Sequence, residues 1–401
     1  MVALPSSLAP LREPDFRRLV VGTAVSRFGN GLATVALAFG VLDVTGSVAS
    51  LGIVVAARSA ANVALVLLGG VLADRLPRGL LLTGSAVVSG AAQLAVAAVL
   101  AARLDALALL AALAAVNGAA SAVSQPLATA LVPQTLPQER LHEGNVLARI
   151  SGNTTSLMGV AAGGTVVAAA GSATAVTVDA LTFLVAASAW SRLRAPAPPR
   201  ATRTSFLRDL ADGWHAFRSR RWLWSVVGAF TVANCCYAGA IDVLGPPHAD
   251  ETIGRPAWGL VLAALPAGLV LGGLVALRVR PRRALLVGVL CATPFPAIAL
   301  AIALIPAWPV LVAVVLGVGV ATEVFEVLWQ TELQRRVPAE LLARVASYDL
   351  LGSFVAIPVG QLLAAPAAVV LGVGPALVWA GCIGATALAA CLLVRDVRAA
   401  A

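Results

Sequence analysis

Residues 256–277 read PAWGLVLAALPAGLVLGGLVAL, and the six that follow read RVRPRR. The first stretch contains no charged side chain, whereas the second carries Arg278, Arg280, Arg282 and Arg283. About 20 apolar residues in a helix cross a bilayer core of about 30 Å, so the segment reads as a membrane-spanning helix that ends on a basic turn. Outward from it, the alternation of apolar run and Gly/Pro/Arg break recurs along the chain. The runs lie near 17–42, 48–73, 79–101, 105–131, 144–170 and 172–193, then near 222–244, 256–277, 284–305, 308–331, 344–371 and 375–394. The chain is 60% hydrophobic and 12% charged, against about 25% charged in soluble domains. So few polar residues cannot cover a water-facing exterior. The expected architecture is an all-α membrane protein of twelve transmembrane helices, with no length left for a soluble domain.

All 28 basic residues are arginine, and their placement sets the topology. Lys and Arg gather in cytoplasmic segments. With a cytoplasmic N-terminus, the inner segments hold Arg12, Arg17, Arg18, Arg75, Arg78, Arg140, eight arginines from Arg192 to Arg221, Arg278 to Arg283, Arg335, Arg336, Arg344, Arg395 and Arg398. The outer loops keep Arg103 and Arg255. Both termini are therefore expected in the cytoplasm, and an even number of spans follows independently of hydropathy. The net charge of +9 is thus read as topology and not as a nucleic-acid surface. Cys235, Cys236, Cys291, Cys382 and Cys391 all fall in apolar runs, without the spacing of a zinc site or a disulfide framework. They are read as small core residues, and no metal is expected. The first apolar run is long enough to span, which argues against a cleavable signal.

The longest connection, 194–221, divides the chain into a six-helix half at 1–193 and a second at 222–401. It begins RAPAPPR and continues SFLRDLADGWHAFRSRRWLW, in which Phe206, Leu210, Trp214 and Phe217 recur at helical spacing. An amphipathic helix lying on the inner leaflet is expected there; a plain tether is the alternative. The halves also repeat. Pro137-Gln138-Glu139-Arg140-Leu141 precedes the fifth run and Pro338-Ala339-Glu340-Leu341-Leu342 the eleventh, while Gly69-Gly70 and Gly272-Gly273 close the second and eighth. Paired repeats are one way in which transporters build a central site between two moving halves.

Gly69 to Gly79 reads GGVLADRLPRG. The charged turn satisfies the topology rule, yet Asp74 is not needed for that. At this position Gly70, Asp74, Arg75 and Arg78 resemble the signature loop of the major facilitator superfamily, with Pro77 and Gly79 replacing its usual second glycine and final basic residue. The resemblance implies two pseudo-symmetric six-helix halves and a loop that latches the cytoplasmic side. A carboxylate is favoured at a helix N-terminus, here that of the eleventh helix near Arg344, and Asp349 would accept from Arg75 or Arg78. Gly159-Val160-Ala161-Ala162-Gly163-Gly164 is similar to the glycine motif of the superfamily's exporters, Val160 standing in for its proline; small residues at Gly159, Gly163 and Gly164 also serve close helix packing. REPDFRRLVVGTAVSRFGNGL, VDALTFLVAA and VLWQTELQRRVPAELLARVASYDLLGS resemble the branch of macrolide-efflux and enterobactin-exporter-like proteins.

An ionisable side chain at bilayer depth costs at least about 2.5 kcal/mol to insert and marks a functional position by default. Arg27 and Arg58 lie deep in the first and second runs, and Glu323 and Glu326 in the tenth. The resemblance implies that helices one, four, seven and ten line the cavity, which would bring Arg27 and Glu323 to it. Desolvation opposes a carboxylate's charge and a nearby Arg favours it; an acid that exchanges a proton for substrate needs that balance. Glu323 is the first candidate for proton coupling, Glu326 the second and Arg27 their cation. A structural ion pair is the alternative. Asn117, Gln125, Asn234 and Arg58 are candidates for substrate contacts. Asp179, in the sixth run, reads as structural.

No His-Glu-x-x-His, Gly-x-Ser-x-Gly or Gly-Lys phosphate loop occurs, which argues against an enzyme or an ATP-driven pump. The expectation is a proton-driven carrier without a cofactor, in the plasma (inner) membrane, working as a monomer and exporting a small amphiphilic drug, antibiotic or siderophore. Its partners would be substrate, protons and lipid, not nucleic acid. Uptake is one alternative, and a non-transporting assembly or lipid-handling factor another.

Overall fold

The computed structural model describes residues 6–75, 77–193, 214–215, 217–279 and 281–398, and no β-strand occurs among them. The chain divides into two compact units, Met1–Ser50 with Ala57–Ala201, and Leu51–Ala56 with Thr202–Ala401.

The N-terminal unit is built on α1 (Pro14–Thr45), α2 (Val48–Arg75), α3 (Arg78–Ala101), α4 (Leu107–Leu131), α5 (Leu141–Ala170) and α6 (Ser172–Trp190). Helix α1 starts on Pro14 with Asp15 in its first turn, an arrangement that suits the missing amide and the helix dipole. It ends at Gly46, whose φ of 61° lets its N–H reach Leu42 O. Trp190 Nε1 of α6 donates to Leu19 O at 3.3 Å. Phe16, Leu19, Leu82, Leu127, Phe183 and Trp190 form a continuous core at that end. Helix α5 packs along α1 by backbone approach: Gly159 sits on the Phe28 carbonyl, where any Cβ would overlap it. Gly171 alone joins α5 to α6, at φ 82° and ψ 162°, a region open essentially to glycine.

The C-terminal unit follows the same plan with interruptions. Its elements are α7 (Arg221–Ala238), a π-helical segment (Gly239–Leu244), α8 (Gly245–Thr252), α9 (Arg255–Ala276), α10 (Ala284–Ala292), α11 (Ala297–Leu304), α12 (Trp308–Arg336), α13 (Ala339–Phe354), α14 (Ile357–Leu371), α15 (Val373–Ala390) and α16 (Arg395–Arg398). The seventh, ninth and eleventh predicted spans are therefore each made of consecutive pieces. Gly372 joins α14 to α15 as Gly171 joins α5 to α6, at φ 86° and ψ 156°. Here Gly360 of α14 sits on the Cys235 carbonyl of α7. An aromatic series ties α7 to α12: Phe230 stacks on Phe325 at 4.7 Å, Phe325 lies 6.0 Å from Trp329, and Trp222 meets Trp329 edge-on at 5.4 Å.

Among the described residues, eleven helices are long and apolar enough to cross a membrane. The predicted fifth span is the exception. Helix α5 has 30 residues, about 45 Å at 1.5 Å each, but its first half carries Glu143, Asn145, Arg149 and Asn153. Large apolar side chains stay exposed elsewhere, Val369 at 87% and Leu277 at 73%, as lipid-facing positions require. The expected all-α membrane fold is the one observed. Of the predicted linker helix, Trp214 stacks on Phe217 at 5.9 Å and both rings pack on Tyr348; Phe206 and Leu210 lie outside the described residues. Cys382 is exposed and so departs from the expectation of a core residue.

Candidate functional site

In the N-terminal unit the polar side chains at membrane depth pair across helices. Arg27 stands 13 residues into α1, about 20 Å along it. Its guanidinium is exposed, lies over Gly152 of α5, and donates from Nη1 to Asn153 Oδ1 at 3.3 Å. Arg58 of α2 donates from Nη2 to Asn30 Oδ1 at 3.3 Å, and the Asn30 amide donates back to Ser26 O at 3.0 Å. One turn further along α2, Asn62 donates to Gly118 O of α4 at 3.2 Å, where Gly118 sits on the Arg58 carbonyl. The two predicted candidates on α4 part company. Asn117 is 2% exposed and neither amide atom has a hydrogen-bond partner, whereas Gln125 is exposed. Gly159, Gly163 and Gly164 are buried, and Gly159 and Gly163 pack on α1, where a Cβ on Gly163 would come within 3.1 Å of the Leu32 carbonyl.

The C-terminal unit presents acids instead. Helix α12 runs on to Arg336, five residues past the predicted end, so Glu323 and Glu326 lie about 20 and 15 Å from that end. Glu323 is half-buried, its Cβ against Gly272 of α9. Glu326 is exposed and accepts from Gln330 Nε2 at 3.0 Å. Asp349 of α13 accepts from Trp329 Nε1 at 2.9 Å. The Trp329 indole is packed against Phe325 and Trp222; the expected pairing of Asp349 with Arg75 or Arg78 involves the Arg75 side chain, which lies outside the described residues. A contrast is offered by Glu332, 5% exposed and clamped by Arg336 Nε at 2.6 Å. Asn234 donates to Ser353 O at 3.0 Å and Thr231 to Gly352 O at 2.7 Å, so Asn234 spends its amide N–H on the α7–α13 joint. Of the signature loop, Arg78 is half-buried; the side chains of Asp74, Arg75 and Arg344, and the surroundings of Gly70, lie outside the described residues.

Sequence reasoning found the charges and missed their partners. Asn30, Asn153 and Trp329 carry no local signal, since the pairs they make span up to 126 positions. The Gln93–Asp179 pair, with Nε2 donating to Oδ2 at 2.5 Å, was likewise hidden.

The Major Facilitator Superfamily profile matches residues 19–361. The chain belongs to the major facilitator superfamily. Solved structures with the superfamily's fold cover nearly all of it. The nucleoside transporter NupG superposes with a TM-score of 0.75 at 13% identity, covering 94% of this chain and 98% of that one. A bacterial homolog of the human lysosomal transporter Spinster, inward-facing and unoccupied, gives 0.65 at 15%, with 96% and 95% covered. A POT family transporter in complex with a thioalcohol-conjugated peptide gives 0.73 at 12%, with 94% and 95% covered. At these identities the likeness is one of fold. A comparison with curated protein sequences finds no match. The superfamily assignment makes the chain a multi-pass integral membrane protein and a transporter, not an enzyme.

Proposed function

We propose that the protein is a proton-coupled carrier of a small amphiphilic molecule, working by alternating access in the plasma membrane, and that it runs as an exporter. The observation that carries the coupling is how the acids of α12 and α13 are solvated. Glu326 is held by a neutral amide and Asp349 by an indole N–H, and among the described residues neither forms an ion pair. A carboxyl held by neutral donors can take up and release a proton without breaking a salt bridge. Glu332, locked to Arg336, cannot. Glu323, deep in the same helix and half-buried, is assigned the proton that exchanges with substrate, and Glu326 relays it. Arg27, the exposed cation of α1, is the counter-charge.

Export is supported by the glycine motif Gly159, Gly163 and Gly164 and by the resemblance to exporters of drugs and siderophores. Asn117, Gln125, Asn234 and Arg58 keep their assignment as sparse polar substrate contacts, and so few polar groups favour an amphiphilic substrate. The gating assignment keeps Gly70, Asp74, Arg75, Arg78, Arg344 and Asp349 as a latch, with Asp349 working through Trp329.

The test is accumulation of toxic compounds and siderophores in an efflux-deficient bacterium expressing wild type, Asp74→Asn or Glu323→Gln, with and without a protonophore. Reduced accumulation that disappears with the protonophore and in both variants is the expected result. Raised accumulation of any compound reverses the direction and makes the carrier an importer. Export that survives Glu323→Gln removes that residue from coupling.

A further inference from the structure

Helix α6 carries a carboxyl that the proposed mechanism leaves unused. Asp179 is 0% exposed. Gly29 of α1 lies directly against it, and the space a Cβ would need there is filled by Asp179 Oδ1 and Thr182 Oγ1. Gln93 of α3 donates to Oδ2 at 2.5 Å, while Oδ1 has no hydrogen-bond donor. Thr182 has committed its own proton to the Asp179 carbonyl at 2.7 Å, so its oxygen is left as an acceptor.

The charged groups around this carboxyl are few. Helix α3 has no ionisable residue from Gly79 to Ala101. On α1, Arg27 is bonded to Asn153, and Asp43 faces Ser172 at the far end of α6. Helix α5 offers Glu143 and Arg149 near its start. Arg58 of α2 donates to Asn30, the residue next to Gly29, and no ion pair involving Asp179 occurs among the described residues. An ionised carboxylate sealed from water with one neutral donor is strongly disfavoured. A neutral acid fits: its hydroxyl is the donor that Thr182 Oγ1 lacks, and its other oxygen keeps Gln93.

We infer that Asp179 is a proton-binding site of the N-terminal unit, with the proton on Oδ1 directed at Thr182 Oγ1 and Oδ2 accepting from Gln93. No solvent touches the carboxyl, so the proton comes on or off only when the packing of α1 at Gly29 or of α3 at Gln93 opens. Occupancy is then tied to helix movement, and the charge left behind is stabilised if Arg58 exchanges Asn30 for Asp179. Neither the substrate nor the direction of transport enters this inference.

Infrared spectroscopy of the full chain in lipid vesicles at neutral pH tests it. The wild-type spectrum is expected to contain a protonated-carboxyl C=O band that shifts in D2O and is missing from Asp179→Asn. Thr182→Val, which keeps the acid and removes its acceptor, should move that band to higher frequency, and this variant serves if Asp179→Asn does not fold. Wild-type and Asp179→Asn spectra that coincide in the carboxylic-acid region, or a band indifferent to Thr182→Val, would overturn the assignment.

Discussion

In the N-terminal unit α1 to α6 each run without interruption, whereas in the C-terminal unit the ninth and eleventh spans are broken and the seventh changes to a π-helical segment. The C-terminal spans are on the whole the more apolar, so low hydropathy does not explain their breaks, and the packing is related: Gly159 meets the Phe28 carbonyl in one unit and Gly360 the Cys235 carbonyl in the other. The breaks coincide with a few prolines, although α9 and α14 carry Pro266 and Pro366 without one. Pro294 and Pro296 stand in the gap between α10 and α11, and Pro358 follows the gap between α13 and α14. The seventh span loosens into a π-helical segment just before Pro246 and Pro247. Proline removes an N–H and crowds the carbonyl four residues back, and a π turn slips the ladder by a residue. Freed carbonyls at membrane depth need new donors, and at Gly352 and Ser353 they find Thr231 and Asn234. Among the described residues the interruptions thus fall in one unit, and at Gly352 and Ser353 a neighbouring helix supplies donors.

The contrast can be broken from either side. Gly159→Leu forces a side chain into the Phe28 carbonyl, and overpacking of this kind costs about 3 kcal/mol. Loss of the folded, monodisperse protein in detergent is expected, and a wild-type unfolding temperature would show that α5 is not held by backbone contact. Thr231→Val and Asn234→Ala each strip one donor from the break in the eleventh span and should cost about 1 kcal/mol singly, with the double variant costing less than the sum because one hinge is lost only once. Additive single-variant effects in a double-mutant cycle would mean the two bonds do not hold one hinge. Trp329→Phe keeps the ring between Phe325 and Trp222 but leaves Asp349 without its indole donor. Destabilisation by about 1 kcal/mol is expected, and measurable slowing of transport with it; unchanged transport would separate Asp349 from the latch. Smallest in stability is Pro358→Ala, below about 1 kcal/mol. The restored N–H lets α13 and α14 fuse, so turnover in vesicles should fall while unfolding barely moves. Unaltered turnover would mean that the break is static.

These effects also show where reading the chain succeeds. Span positions were legible to within a few residues because a bilayer imposes a length and an apolar surface on every helix. The interruptions were not, since averaging hydropathy over a window hides a single missing N–H at Pro358. Within the candidate site, Arg27, Arg58, Glu323 and Glu326 stood out because charge is costly in lipid. The end of α12 was placed too early, because its last turns carry Glu332, Arg335 and Arg336 and look like a loop. Partners such as Asn30 for Arg58, or Trp329 for Asp349, depend on helix packing between residues distant in the chain.

The single-residue link at Gly171 has a consequence for how the chain enters the bilayer during synthesis. Helix α5, with Glu143, Arg149 and its run of Asn and Ser, is a poor candidate for release into lipid alone, while α6 qualifies on its own composition. With one glycine between them, the pair is expected to partition as a hairpin, the later helix drawing in the earlier one. Glycosylation-tagged chains truncated after Gly171 should leave α5 uninserted, and chains extended through Trp190 should insert both.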